Sequence, residues 1–186
     1  MPSNRPDKLR FLPVGLDVRR KNCLIVGGGN VGTRKAHSLV RAEANVIVLS
    51  PTVTGELAKL IEAGHVRWIE DSFREELLEG AFLVIAVTDD EAQNAEISRL
   101  AGHRGALVCD ASSAERSGVI FGALLHDDGV TVAVFTDGRD PAKARRTRDR
   151  IANFIGKEDG LTTEGRSEAC RRKDGKGGSR ERRKTE

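Results

Sequence analysis

Residues 23–36 read CLIVGGGNVGTRKA. An apolar run ends in three glycines, a fourth glycine follows at Gly32, and a basic amphipathic segment opens behind it. "NCLIVG" has the pattern of a buried strand and "VGTRKAHSLVRA" that of a helix. Gly27, Gly29 and Gly32 therefore form G-x-G-x-x-G at a strand-to-helix turn, the context that gives the motif meaning. The first glycine permits the tight turn. The second lets backbone approach a pyrophosphate, and the third lets helix and strand pack closely. The helix N-terminus offers free N–H groups and partial positive charge to the phosphates. The spacing predicts a dinucleotide site; the alternative is a tight turn with no ligand.

Outward from this loop the same alternation repeats. "NVIVLS", "VRWIE", "AFLVIAVTDD" and "GALVCDAS" read as strands, with "VTGELAKLIEAG", "FREELLEG" and "DEAQNAEISRLAGHR" as helices between them. Strands apolar throughout, alternating with helices, predict a Rossmann-like, doubly wound parallel sheet covered on both faces, of the α/β class. The pattern changes after residue 118. "SGVIFGALLHDDGVTVAVFTDG" holds two β-rich runs around a turn sequence and predicts an antiparallel hairpin, at the sheet edge or leading out of it. "DPAKARRTRDRIANFI" predicts a helix with Asp140 as N-cap and Pro141 at its first position. The expected organisation is a nucleotide-binding domain at 1–118, a hairpin and helix at 119–155, and a disordered charged tail at 156–186, where apolar content nearly vanishes.

One part of the fingerprint is missing. NAD sites commonly place Asp or Glu about 20 residues on, at the end of the second strand, to hold the ribose hydroxyls. Here that position is "LSPT", with Ser50, Pro51 and Thr52. No acid there marks NAD and no Arg marks NADP, so the glycine loop alone leaves the choice open.

Two further clusters end strands on the same predicted sheet edge. "TDD" places Thr88, Asp89 and Asp90 beside the glycine loop if the strand order is 3-2-1-4, because ligands sit at that switch point. Thr88 and Asp89 are candidate walls of the cleft, while an Asp here also serves to cap the next helix. "CDASSAERSG" offers Asp110, Ser112, Ser113, Glu115 and Arg116. No histidine lies near, so a Ser-His-Asp hydrolase is not indicated. An acid or hydroxyl pair there suits proton handling beside hydride transfer; a polar capping loop is the alternative.

Composition narrows the class. The 186 residues carry a net charge of +3, and that excess lies in residues 157–186, with 10 Lys/Arg against 7 Asp/Glu. The neutral body gives no nucleic-acid footprint. With no Tyr and one Trp, stacking platforms for bases are scarce. No apolar run approaches the ~20 residues of a membrane helix. The N-terminus lacks the apolar core of a secretion signal, so a cytoplasmic chain is expected. Cys23, Cys109 and Cys170 have no metal spacing, and the four histidines form no ligand pattern, so no metal site is expected.

In combination, "FLPVGLDVRRKNCLIVGGGNVGTRKAHSLVRAEANVIVLSP", "FREELLEGAFLVIAVTDDEAQN" and "VAVFTDGRDPAKARRTRDRI" resemble the precorrin-2 dehydrogenase family, the NAD-dependent part of sirohaem synthase, over about residues 10–155. The resemblance implies oxidation of precorrin-2, a tetrapyrrole, to sirohydrochlorin with NAD as hydride acceptor. Some members also insert iron. It implies cofactor contacts at Asn30 and Val31 after the glycines and at Pro51 and Thr52 after the second strand, and a homodimer that exchanges helical segments. With no methyltransferase domain following, the multifunctional form that carries one is not expected.

The loop after the fifth strand departs from the family. The family often places a catalytic Asp where ungapped alignment puts Ser112, with Asp110 two residues earlier. Asp110 and Ser112 are therefore the candidate catalytic residues. The dehydrogenase is the leading reading. A bifunctional dehydrogenase and ferrochelatase, and a non-catalytic module that senses NAD or a tetrapyrrole, are the alternatives.

Overall fold

The computed structural model describes residues 9–155. The expected disordered tail at 156–186, and with it Cys170, lies outside the described residues.

The first strand, β1 (Asn22–Val26), is buried at every position but its first. It is followed by α1 (Asn30–Arg41), β2 (Asn45–Leu49), α2 (Gly55–Glu62), β3 (Val66–Ile69) and a 3₁₀ turn at Glu75–Leu78. Then come β4 (Leu83–Ala86), α3 (Glu91–His103) and β5 (Leu107–Asp110). The strands form one parallel sheet in the order β3-β2-β1-β4-β5. β1 pairs with both β2 and β4, which makes the β1/β4 boundary the switch point.

Alternation along the strands separates two cores. Cys23 and Ile25 point one way with Val46, Val48, Leu83 and Ile85, against Ala36 and Leu39 of α1 and Leu57 of α2. Leu24 and Val26 point the other way with Val84 and Ala86, against Ile97 and Ala101 of α3 and Leu78 of the 3₁₀ turn. Both faces of the sheet are covered, so strands apolar at every position are what this fold requires.

Three glycines are demanded by close approach rather than by turn chemistry. A Cβ on Gly32 would strike the Gly27 carbonyl, and one on Gly28 would strike the Thr52 carbonyl. Gly27 has φ +123° and sits against the Val87 backbone, where an L side chain is strained. These contacts let α1 and the β2–α2 loop close onto the end of β1.

Cys23 and Cys109 are both buried and free. Burial pushes the Cys23 thiol up to about 11 and raises that of Cys109, so both behave as small core residues. The four histidines are exposed.

The described residues divide into two units. The first runs to Phe121 and also contains Phe135–Asp140. It thus takes in residues 119–121 and 135–140, which the sequence reading assigns to the hairpin-and-helix segment. The second contains Gly122–Val134 and the residues from Pro141 on. It comprises the hairpin of β6 (Ala123–Asp127) and β7 (Val130–Val134), and helix α4 at residues 141–155. The hairpin closes through Asp128 (φ 38°) and Gly129 (φ 78°), two consecutive positive-φ residues, as a two-residue type I′ loop needs. It forms a sheet of its own. It is therefore not an edge strand pair of the five-stranded sheet.

Candidate nucleotide cleft and the adjoining polar loop

At the carboxyl end of the sheet the glycine loop, the β2–α2 loop, the loop after β3 and the loop after β4 enclose a cleft of about 510 Å³. Gly27, Gly28 and Gly29 form one side, and Ser50, Pro51 and Thr52 another. Val87, Thr88 and Asp89 face them from β4, and Asp71 and Phe73 come from the loop after β3. Among the expected cofactor residues, Gly27, Gly29, Pro51, Thr52, Thr88 and Asp89 thus line one space. Asn30 and Val31 open α1, are exposed, and do not line it; Gly32 is buried and packs against the loop.

The loop is braced from behind. Thr33, buried in α1, donates its hydroxyl to the Gly29 carbonyl at 2.9 Å and meets the Thr54 hydroxyl at 2.7 Å. The Thr54 amide donates to the Gly28 carbonyl at 3.1 Å. Thr54 also caps α2 through the Leu57 amide. The glycine loop is therefore held in place before any ligand arrives.

Gly29 differs from the other loop glycines. Its φ and ψ, −76° and −173°, are open to any residue, and a Cβ there would meet no protein atom within 4 Å. Nothing in the protein demands glycine at this position. What a side chain would fill is cleft space in front of the first turn of α1, which has no side-chain cap and no acidic residue. That vacancy before uncapped amides fits a pyrophosphate.

The two aspartates after β4 divide their work. Asp90 caps α3, accepting from the Ala92 and Gln93 amides at 2.8 and 3.1 Å. Asp89 lines the cleft.

Asn94, 2% exposed, joins this wall to the next loop. Its carbonyl oxygen accepts from the Thr88 amide and hydroxyl at 2.9 and 2.8 Å. Its amide nitrogen donates to the Thr88 carbonyl at 3.0 Å and to the Ser112 hydroxyl at 3.4 Å. Ser112 is in turn held by Asp110. Its hydroxyl donates to Oδ1 at 2.6 Å and its amide to the same oxygen at 2.9 Å.

Asp110 has no side-chain exposure. Besides Ser112 it accepts from the Ser113 amide at 3.1 Å, the Ser98 hydroxyl at 3.2 Å and Arg116 Nε at 2.6 Å. Burial alone would raise its carboxyl. The Arg116 guanidinium and the Ser112 donors outweigh burial and hold it below the usual carboxylate range. Five donors, one of them the Arg116 guanidinium, leave a charged group with little appetite for a proton. Its position is that of an anchor for the loop, whereas Ser112 is exposed. Of the two candidate catalytic residues, Ser112 is exposed and Asp110 is buried.

Comparisons with known proteins agree with this geometry. Residues 14–123 match a family model described as "Putative NAD(P)-binding". The chain belongs to this NAD(P)-binding family. It is 36% identical over 147 residues to "Siroheme synthase 1" of Pectobacterium atrosepticum, covering 79% of this chain and 31% of that protein. It is 37% identical over 147 residues, with the same coverage, to "Siroheme synthase" of Chromobacterium violaceum. The chain thus spans about a third of the length of these curated relatives. Among solved structures it is similar to "SirC, precorrin-2 dehydrogenase", with TM-score 0.67 and 26% identity over 77% of this chain and 70% of that one. The family resemblance drawn from the motifs is matched in both sequence and fold. No helix among the described residues is long and apolar enough to cross a membrane.

Sequence reasoning does not reach Gly28, Asn94 or Asp71, nor the bracing pair Thr33 and Thr54. Gly28 occupies a position the fingerprint leaves free, and only the triplet of glycines hints at it. Asn94 lies within a motif that assigns it no role. Asp71 lies outside every motif.

Proposed function

We propose that the chain is an NAD-dependent precorrin-2 dehydrogenase, oxidising precorrin-2 to sirohydrochlorin in sirohaem synthesis. The observation that carries this reading is Asn94. One buried amide holds the cleft wall at Thr88 and reaches the Ser112 hydroxyl, so a nucleotide cleft adjoins a proton-handling loop. The likeness to a precorrin-2 dehydrogenase supplies the substrate class.

The oxidation removes a hydride and a proton from the macrocycle. NAD, when bound, supplies the nicotinamide that takes the hydride. The chain's own residues do the rest. The Gly27 and Gly29 backbone and the first amides of α1, at Asn30 and Val31, would hold the pyrophosphate, with Gly32 packing the turn behind them and Pro51 and Thr52 along the adenosine side. Thr88 and Asp89 face the nicotinamide side at the β1/β4 switch point. Ser112 touches the substrate and orients it, and the proton released from the macrocycle leaves to water. Asp110 positions Ser112 and is not itself the proton acceptor.

The test is anaerobic incubation of precorrin-2 with and without NAD, followed through the sirohydrochlorin spectrum. We expect product only with NAD. Equal rates with and without NAD overturn the dehydrogenase reading.

We further propose a homodimer. A two-stranded ribbon is marginal in water, and β6–β7 pairs with no third strand among the described residues. A second copy is the natural source of the missing packing. Sedimentation at micromolar concentration should give twice the chain mass of 20.2 kDa; a single-chain mass at all concentrations contradicts it.

A further inference from the structure

The end of β2 lacks the acid that usually reads the ribose of NAD, yet the cleft does contain one on that side. β2 and β3 pair in parallel, with Leu49 beside Ile69. Two residues past those strand ends stand Pro51 and Asp71, both lining the cleft. The two loops are tied together. The Ser50 amide donates to the Ile69 carbonyl at 3.2 Å, and the Trp68 indole N–H donates to the Ser50 carbonyl at 2.9 Å. The acid has moved one strand outward while staying beside the same part of the cleft.

We propose that Asp71 is the residue that selects the adenosine ribose, accepting its hydroxyls and excluding a 2′-phosphate. The proposal rests on the cofactor reading above. Three features carry it. First, Asp71 stands on the adenosine side: the pyrophosphate lies at α1 and the ribose reader belongs at the β2 end, whereas Asp89, the other acid of the cleft, stands beyond β4. Second, Asp71 has acceptor capacity to spare. Its Oδ1 takes the Ser72 amide and its Oδ2 takes Arg74 Nη2, each at 2.7 Å. A carboxylate offers about four lone-pair sites, and its side chain is 43% exposed. Third, no Lys or Arg lines the cleft, and Arg74, the cation nearest to Asp71, is not among the lining residues. A 2′-phosphate would meet the acid first, with Arg74, the cation beside it, already held by that acid.

The chain provides its own probe. Trp68 is its one tryptophan and there is no tyrosine. Through Ser50 it contacts the cleft wall, so its emission should be quenched by bound NADH or NADPH. Titrations of the full chain with each cofactor give both dissociation constants. Wild type should prefer NADH. Asp71→Asn should weaken NADH about tenfold, the order expected for one charge-assisted hydrogen bond. It should also tighten NADPH, because the repulsion is gone and Arg74 is released. Opposite movement of the two constants separates a selective role from loop damage, which would weaken both. Arg74→Ala, which breaks the ion pair and keeps the acid, should retain the NADH preference.

If Asp71→Asn leaves the NADH/NADPH ratio unchanged while NADH still binds, Asp71 is not the selector and the cofactor reading survives. If neither cofactor quenches Trp68 or binds by calorimetry, the cofactor reading itself fails and takes this proposal with it.

Discussion

Gly29→Ala should fold like wild type and lose its dinucleotide. The φ and ψ at this position suit alanine, and the added Cβ meets no protein atom within 4 Å. Stability should therefore stay within about 0.5 kcal/mol, or rise slightly as the unfolded chain loses freedom. The same methyl occupies the space in front of the α1 amides. NADH affinity should fall about 100-fold, near 3 kcal/mol. Gly32→Ala should behave in the opposite order. Its Cβ strikes the Gly27 carbonyl, so α1 must shift off β1, at a cost of about 2–4 kcal/mol. Urea melts with Trp68 titrations of both variants check this. A Gly29→Ala protein that binds NADH normally would remove the glycine loop from the site.

The second large effect lies in the β5 loop. Asp110→Ala leaves the Arg116 guanidinium and the Ser98, Ser112 and Ser113 donors without their acceptor. Breaking a fully buried pair costs about 3–5 kcal/mol; with Arg116 32% exposed the loss should be about 2–4 kcal/mol. Ser112→Ala removes one hydroxyl at an exposed position and should cost only about 1 kcal/mol. Its loss should appear in turnover, by about 10²-fold or more, the lower end for a positioned acid–base group. Asp110→Asn should fall between, with kcat reduced because Ser112 loses its charged acceptor.

The sign of the pH effect follows from the depressed Asp110 carboxyl. Its folded-state pKa lies below the unfolded value of about 3.9. The stability it contributes is complete above that value and is lost as pH falls through the folded pKa. Wild type and Asp110→Asn should therefore differ most at neutral pH and converge in acid. A constant gap across the acid range, or full turnover in Ser112→Ala, would falsify the assignment.

Much of the fold was legible because it rests on local pattern. Apolar runs at 23–26 and 83–86 announce doubly covered strands, and the glycines between strand and helix announce the crossover. Even the hairpin loop was readable, since Asp128-Gly129 is local chemistry. The site was less legible because its demands come from distant residues. Gly28 must be glycine on account of Ser50 and Thr52, which approach only after β1 and β2 pair. Asp71 joins the cleft because β3 lies beside β2, and no spacing rule measured from the glycines reaches it. Asp110 is a candidate through the family's loop Asp and through residue type. That its carboxyl turns inward onto donors from 98 to 116 is something a string of residues does not display.

The proposed reaction at this cleft is a two-electron oxidation of precorrin-2 with NAD. It is tested most directly by stoichiometry. Under anaerobic conditions, with limiting precorrin-2 and excess NAD, NADH absorbance and the sirohydrochlorin spectrum are recorded together. One NADH should appear for each sirohydrochlorin, at one rate, with both signals slowed together in Gly29→Ala. Sirohydrochlorin formed without NADH, or at undiminished rate in Gly29→Ala, would contradict it.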